Sequence, residues 1–178
     1  MSKVFNENLG AYFHKKFGLD FRNLRYPGVI SSQKFAFNGT VSYPTEVFFE
    51  ALEKGHYDCY LEPDTQIPVI YCDETIDATL RLVRAPRENL KRCTYNLAGI
   101  PMTPRIFFKE VEKLIPGTTF GYKVDPLRQA IGESWPNSLD ESTSIEYGWT
   151  HDITPYELAK KILVNIDDKY KQGKNLNL

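Results

Sequence analysis

The chain has 178 residues, of which 42% are hydrophobic and 25% are charged, and its formal net charge is −1. This composition is typical of one soluble globular domain with a substantial core. We expect no nucleic-acid partner, because no basic stripe could neutralise phosphates. We expect no membrane span, because no apolar run approaches roughly 18 residues.

Three cysteines and three histidines are present. The cysteines form no CxxC pair, and the histidines lie far from them and from one another. Metal ligands normally show closer spacing, so no metal site is expected. An odd number of unpaired cysteines also favours a reducing compartment over a disulfide framework.

In the first half of the chain, hydrophobic spacing predicts helices that alternate with short strands. An amphipathic helix opens the chain and ends at Gly18, with one apolar face formed by Val4, Phe5, Leu9, Tyr12, Phe13 and Phe17. A strand-like run over 20–26 is closed by Pro27 and Gly28. A second helix around 47–52 ends at Gly55, and strands are predicted over 57–61 and 68–71.

The second half continues the alternation. A helix over 73–83 is expected to turn Ile76, Leu80 and Val83 inward, and a strand is predicted over 93–97. Thr103 and Pro104 begin another helix, whose buried stripe is predicted to be Ile106, Phe107, Val111 and Leu114. The last helix opens with a capping box at 154–157 and buries Leu158, Ile162, Leu163 and Ile166. Residues 171–178 form a polar tail.

Alternating strands and helices indicate an α/β fold. Dinucleotide-binding folds carry a glycine-rich turn between a strand and a helix, where backbone N–H groups meet the phosphates. None of the eleven glycines forms such a turn, and neither a P-loop nor a GxSxG nucleophile elbow occurs. The sequence therefore contains no phosphate cradle.

Several segments together resemble a known family. They are Ser2-Lys3-Val4, residues 18–22 (GLDFR), 24–31 (LRYPGVIS), 50–52 (EAL), 57–61 (YDCYL), 64–71, 95–97 (YNL), 134–140 and 147–149 (YGW). In this order they resemble the extended short-chain dehydrogenase/reductases of the NAD-dependent epimerase/dehydratase family. The resemblance narrows to the short-chain type of L-threonine 3-dehydrogenase, and it covers nearly the whole chain.

The resemblance implies an incomplete Rossmann-type α/β fold, which would hold the C-terminal part of the sheet and a substrate-binding subdomain. On this interpretation, residues 1–41 are a remnant of the nucleotide-binding domain and 42–170 are mainly the substrate-binding subdomain with returning strands, followed by the tail. The first helix begins at Met1 without a cap. We therefore expect the chain to be a fragment without the N-terminal dinucleotide-binding half.

By the same resemblance, Lys3 matches the lysine of the family's Tyr-x-x-x-Lys motif. Its ammonium would contact the nicotinamide ribose of NAD and lower the pKa of the motif tyrosine, which would act as the base. That tyrosine would fall two positions before Met1. Val29 matches the position whose backbone meets the carboxamide of NAD.

Four further positions are implied to bind substrate. Thr40 matches a threonine that holds the amino acid, whereas Ser42 stands where the family often has an acidic side chain. Thr65 and Trp135 are implied to line the pocket, and each is alternatively a packing residue. Glu74 replaces an aspartate that is usual at this strand-to-helix junction.

The sequence thus predicts a fragment related to L-threonine 3-dehydrogenase, inactive alone, with L-threonine and NAD as ligands of the full-length family. Two alternatives stay open: a fragment of a nucleotide-sugar epimerase or reductase, and a non-enzymatic binding module. The resemblance also suggests a homodimer and an intracellular location in the mitochondrial matrix or the cytoplasm.

Overall fold

The computed structural model describes residues 2–34 and 42–178. The described helices are α1 (Ser2–Phe17), α2 (Tyr43–Lys54), α3 (Cys72–Arg84), α4 (Pro104–Leu114), α5 (Pro126–Glu133), α6 (Pro155–Asn165) and α7 (Asp168–Lys171). The described strands are β1 (Asn23–Arg25), β2 (Gly28–Ile30), β3 (His56–Cys59), β4 (Ile67–Tyr71), β5 (Thr94–Asn96), β6 (Ile100–Met102) and β7 (Thr119–Tyr122). Short 3-10 helices span Arg87–Asn89 and Ser144–Tyr147.

Three small sheets contain these strands, and most of the pairing is parallel. β1 pairs with β5, with Leu24 opposite Tyr95. β2 pairs with β4, which also pairs with β6 in the antiparallel sense. β3 pairs with β7. The α/β class predicted from the sequence is therefore confirmed, and only Tyr26 and Pro27 separate the strand of the first sheet from that of the second.

Two hydrophobic clusters form the core. The larger one joins α2, α4 and α6 to strands β3, β4 and β6, and its fully buried members include Phe48, Phe107 and Leu158. The smaller one lies between α3 and β5 and contains Leu82, Tyr95 and Trp149. Close packing of such large side chains stabilises the arrangement of the elements around them.

Local capping chemistry confirms the predicted helix starts. The Thr103 hydroxyl accepts a hydrogen bond from the Ile106 N–H (3.2 Å) at the start of α4. Thr154 and Glu157 form the predicted capping box at α6. Such caps satisfy backbone N–H groups that a helix end would otherwise leave without partners.

The buried face predicted for α3 is wrong. Ile76, Leu80 and Val83 are 58%, 41% and 62% exposed, whereas Thr75, Ala78 and Leu82 are buried. Both sets have helical spacing, and it is Ala78 and Leu82 that pack in the smaller cluster with Ile70 of β4. In α4, Ile106 is likewise 43% exposed, and Phe108 takes the buried position beside Phe107.

The sequence interpretation also missed β2, β6, β7 and α5, since it closed the strand-like run at Pro27 and Gly28. β6 and β7 contain Pro101 and Gly121 respectively, residues that weaken a strand pattern. α5 spans only eight residues. The 134–140 segment that follows α5 contributes to the candidate site described below.

Helix α1 presents its apolar face to solvent. The six apolar residues predicted to share this face are between 40% and 63% exposed, namely Val4, Phe5, Leu9, Tyr12, Phe13 and Phe17. Within α1 only Gly10 is buried, and it lies against the Phe21 ring. Contiguous exposed apolar surface of this kind promotes association. No helix among the described residues combines the length and apolarity needed to cross a bilayer.

We predict that the purified chain associates through α1 and that a Phe5→Ser/Phe17→Ser double variant associates less. Both rings are 63% exposed, so the free energy of unfolding should change by no more than about 0.5 kcal/mol per site. The variant should therefore unfold at nearly the same midpoint as the wild type. Size-exclusion chromatography with light scattering over a concentration series measures the association.

Leu127→Ser is the matched control, because Leu127 is 72% exposed but lies on α5. It should associate as the wild type does. A wild-type chain that stays monomeric at every concentration and melts in one sharp transition would contradict the prediction.

Candidate functional site

A cavity of about 300 Å³ lies where the chain passes from β1 to β2. Most of its lining is aromatic or aliphatic, and the residues are Arg25, Tyr26, Pro27, Pro68, Trp135, Pro136 and Leu139. β1 and β5 run parallel and both end beside this cavity. Ligands of open α/β sheets bind outside the carboxyl ends of parallel strands, so this cavity is the candidate site. We call it the Trp135 cavity.

Trp135 forms one wall of the cavity. It follows α5, where its backbone N–H donates to the Gly132 carbonyl (3.2 Å). A Cβ atom added to Gly28 would lie 3.5 Å from Cζ3 of the Trp135 ring and 3.1 Å from the Pro68 carbonyl oxygen. The glycine thus leaves room for the indole and for β4 to approach β2.

The 134–140 segment that carries Trp135 is fastened at two further points. The Gln66 side-chain amide donates to the Asn137 carbonyl (3.1 Å). The Asn96 side-chain amide, at the end of β5, donates to the Asp140 carbonyl (3.1 Å). The segment therefore covers the cavity from α5 to the end of β5.

Lys3 is exposed on the first turn of α1, one helical turn before Glu7. Glu7 accepts a bidentate hydrogen bond from Arg25, with a closest separation of 2.7 Å, and this ion pair ties α1 to the end of β1. The Arg25 guanidinium lowers the pKa of the Glu7 carboxyl. Because residues i and i+4 share a helix face, Lys3 lies on the side of α1 that faces the end of β1.

Val29 is the central residue of β2 and is 47% exposed between buried Gly28 and Ile30. Its backbone pairs with Ile70. Because successive residues of a strand point to opposite faces, the Val29 side chain lies on the face of β2 opposite to the one where Trp135 approaches Gly28. Val29 does not line the cavity. Thr40 lies outside the described residues.

Thr65 lines a neighbouring cavity of about 290 Å³ together with Glu62, Asp64, Gln66, Gln129, Glu133 and Asn137. Its hydroxyl is buried and lies within hydrogen-bond distance of both side-chain amide atoms of Gln129 (3.1 and 2.9 Å). The Trp135–Asn137 segment separates the two cavities, since Trp135 and Pro136 line one and Asn137 lines the other.

Ser42 lies in a different environment, at the start of α2. Its backbone N–H donates to the Tyr60 hydroxyl (2.8 Å), and its own hydroxyl donates to the Glu46 carboxylate. Tyr57 also donates to Glu46 (3.1 Å), and burial raises the pKa of the Tyr57 phenol. A carboxylate is thus present within hydrogen-bond distance of Ser42, but neither residue lines the Trp135 cavity.

Glu74 lies at the junction of β4 and α3. Its carboxylate is 3.4 Å from Lys161 Nζ and 3.7 Å from His151 Nε2, and it also accepts from the Tyr71 N–H (3.3 Å). Burial acts to raise the pKa of this carboxyl, but His151, Lys161 and the Tyr71 N–H together outweigh burial, so the pKa is lowered. The glutamate therefore joins α3 to α6 electrostatically.

Sequence reasoning missed Arg25, Tyr26, Pro68 and Gln129 as residues of these two cavities. The turn at Pro27 and Gly28 offered a signal for the first three, because it marks the strand junction that they surround. No feature of the sequence pointed to Gln129, because α5, the helix that contains it, was not predicted. Among residues 2–34 and 42–178, no group of three or more histidine, cysteine, aspartate or glutamate side chains could hold a metal ion.

We predict that Glu74→Gln weakens stability at neutral pH by about 1 kcal/mol, because it removes the partner of Lys161 and His151 in a partly buried site. The folded pKa of Glu74 is lowered, so its contribution is full above the unfolded value of 4.5 and is lost as pH falls through the folded pKa. Thermal melts between pH 3 and pH 8 measure this difference.

The difference in stability between Glu74→Gln and the wild type should accordingly vanish at the acidic end of the pH series. Glu112→Gln is the control, because it changes an exposed glutamate of α4, whereas Glu157→Gln would also remove the cap of α6. A Glu74→Gln deficit that stays constant down to pH 3 would show that Glu74 acts by packing instead of charge.

Known proteins resemble this chain over nearly all of its length. It is 42% identical over 164 residues to mitochondrial L-threonine 3-dehydrogenase of Bos taurus, an alignment that covers 92% of this chain and 44% of the relative. It is 38% identical over 171 residues to an uncharacterized epimerase/dehydratase of Staphylococcus haemolyticus, covering 95% of this chain and 54% of that protein. No protein-family model matches the chain.

The fold comparison agrees. The crystal structure of L-threonine dehydrogenase from Phytophthora infestans superposes with a TM-score of 0.85 at 40% identity, covering 91% of this chain and 53% of that structure. The chain thus spans about half the length of the relatives that it matches. Over more than nine-tenths of its own length it is a homologue of L-threonine 3-dehydrogenases and of proteins in the epimerase/dehydratase family.

Proposed function

We propose that this chain supplies the substrate-binding part of an NAD-dependent L-threonine 3-dehydrogenase. The reaction oxidises the hydroxyl of L-threonine to give 2-amino-3-oxobutanoate and NADH. The observation that carries the proposal is the aromatic cavity at the ends of β1 and β5, in a chain that aligns with L-threonine 3-dehydrogenase over 92% of its length. We further propose that residues 1–41 are a remnant of the nucleotide-binding domain and that 42–170 mainly bind substrate.

The cofactor fits this chain only in part. The dinucleotide phosphates need a glycine-rich turn, and the sequence contains none. Lys3, on the side of α1 that faces β1, and the backbone of Val29, one residue after Gly28 in β2, suit the nicotinamide end. NAD, when bound, accepts the hydride that leaves the substrate carbon. We propose that the chain alone binds NAD weakly and is inactive.

The cavity residues suit a small substrate. Trp135, Pro27, Pro68 and Leu139 form an apolar lining that excludes water from the reacting carbon, as many active sites do. Arg25 lines the same cavity while its guanidinium pairs with Glu7, and guanidinium groups bind carboxylates well. We propose that Trp135 covers the substrate while Arg25 contributes positive charge at its carboxylate end.

Three further residues were predicted to bind substrate, namely Thr40, Ser42 and Thr65. We propose that Thr40 is a substrate-binding threonine. Ser42 lacks a charge of its own, but its hydroxyl donates to Glu46. Thr65 is turned toward Gln129, so we propose that it supports the cavity wall instead of touching the substrate.

A nucleotide-sugar epimerase or reductase is the second candidate, because a relative at 38% identity is named an epimerase/dehydratase. A sugar diphosphate requires convergent cationic side chains. Arg25 is the cation that the described residues place in the lining of the Trp135 cavity. A single guanidinium suits one carboxylate better than a diphosphate, so the lining favours a small amino acid.

Two properties of the whole enzyme follow from the same proposal. The exposed apolar face of α1 suits a second copy of the chain, which would make a homodimer. The bovine relative is named as mitochondrial, and we propose the mitochondrial matrix or the cytoplasm as the compartment.

The proposal predicts that L-threonine raises the melting temperature of the chain, whereas a UDP-sugar does not. Trp135→Ala should abolish the shift and Trp135→Phe should retain most of it, because an aromatic wall remains. Differential scanning fluorimetry measures the shift, and absorbance at 340 nm should detect no NADH from the chain with L-threonine and NAD.

Leu127→Ala serves as a control for the loss of an apolar side chain elsewhere on the surface. Stabilisation by the UDP-sugar and not by L-threonine would favour the epimerase alternative. Stabilisation by neither ligand, with wild-type folding, would leave the non-enzymatic binding module as the better account.

A further inference from the structure

Gln129 is a buried glutamine on α5 and is 8% exposed. Its side-chain oxygen accepts a hydrogen bond from the Glu62 backbone N–H (3.0 Å), and its side-chain nitrogen donates to Glu133 (2.9 Å). The Thr65 hydroxyl lies within hydrogen-bond distance of both amide atoms. One side chain thereby connects the 62–65 turn to α5.

The same face of α5 packs tightly on that turn. Gly132 follows Gln129 by three residues, and a Cβ atom placed there would lie 3.4 Å from Leu61 and 3.4 Å from Thr65. Trp135 follows Gly132 by three residues, and its ring lines the cavity next to Gly28. The position of the indole is therefore set by how α5 sits on the 62–65 turn.

We propose that Gln129 is the positioning residue that fixes Trp135 as the wall of the cavity and so sets its affinity for the amino-acid substrate. The second part of this inference rests on the proposed function. Gln129 does not line the Trp135 cavity, so it acts through α5. The exposed tie between Gln66 and Asn137 holds the far end of the same segment.

The chemistry of the site explains why a neutral amide is suited to this position. Glu62, Asp64 and Glu133 line the neighbouring cavity, so an additional carboxylate would face negative charge. An apolar side chain would leave the buried Thr65 hydroxyl and the Glu62 N–H without their partner, at a cost of about 1–3 kcal/mol for each such group. An amide supplies both the acceptor and the donor that the site requires.

The test labels both tryptophans, Trp135 and Trp149, with 5-fluorotryptophan and records ¹⁹F NMR spectra. Trp149 lies in the smaller cluster and is the internal control. We expect Gln129→Met to move the Trp135 signal and to leave the Trp149 signal in place. L-threonine affinity, measured by calorimetry, should fall roughly tenfold, which corresponds to about 1.4 kcal/mol.

Gln172→Met is the matched substitution control, because Gln172 is exposed in the tail, and it should change neither signal. Gln129→Glu is the second variant. It should fold, because it keeps the oxygen that accepts from the Glu62 N–H and the Thr65 hydroxyl. It should still move the Trp135 signal, because repulsion between two carboxylates replaces the hydrogen bond to Glu133. If Gln129→Met does not fold, the Trp135 signal of Gln129→Glu tests the proposal in its place.

The inference is overturned if the Trp135 signal of a folded Gln129 variant stays where Gln172→Met leaves it. It is also overturned if both tryptophan signals move together, because Gln129 would then have a general structural role. A wild-type chain that does not bind L-threonine would refute the proposed function, while the ¹⁹F signals would still decide whether Gln129 positions Trp135.

Discussion

The contact between Gly28 and the Trp135 ring is the constraint on which the rest of the candidate site depends. Gly28 belongs to a nearly continuous strand that pairs with β5 before Pro27 and with β4 after it. Because this strand joins two sheets, it also joins the two hydrophobic clusters. A Cβ atom at Gly28 would lie 3.1 Å from the Pro68 carbonyl oxygen, which is tight, and 3.5 Å from the indole, which is van der Waals contact. A side chain larger than that of alanine would therefore have to displace β4 or the indole.

This geometry explains how a chain with half the length of its relatives presents a formed cavity. One wall comes from the strand junction and the other comes from the segment after α5. The segment is tied to the core by neutral hydrogen bonds from Gln66 and Asn96. Neutral ties hold their geometry over a wide pH range, whereas charged groups such as Glu7 and Arg25 fasten α1 to the outside of the same region.

Much of this fold could be predicted from the sequence, because several local signals are strong. Thr103-Pro104 and the capping box at Thr154 fix helix starts by chemistry that involves only neighbouring residues. The inward face of α3 could not be found in this way, since two stripes with helical spacing compete and the tertiary packing against β4 and β5 decides between them. α5 is short, so the pattern that would reveal it is weak.

The candidate site was only partly predictable for a related reason. Trp135, Val29 and Lys3 were predicted from the resemblance. The structure places Trp135 in the lining of the cavity and Val29 in β2, directly after Gly28. Gln129 acts through contacts with residues more than 60 positions away, so nothing local distinguishes it from an exposed glutamine. Thr65 was predicted to line a pocket, and its hydroxyl faces that glutamine.

An NMR titration of the ¹⁵N-labelled chain with L-threonine tests the central claim most directly. The account predicts that chemical-shift changes are concentrated at Tyr26, Gly28, Val29 and the Trp135 indole N–H, with saturation as L-threonine is added. No saturable change, or changes centred on the separate cavity formed by Glu46, Glu50 and His56, would contradict it.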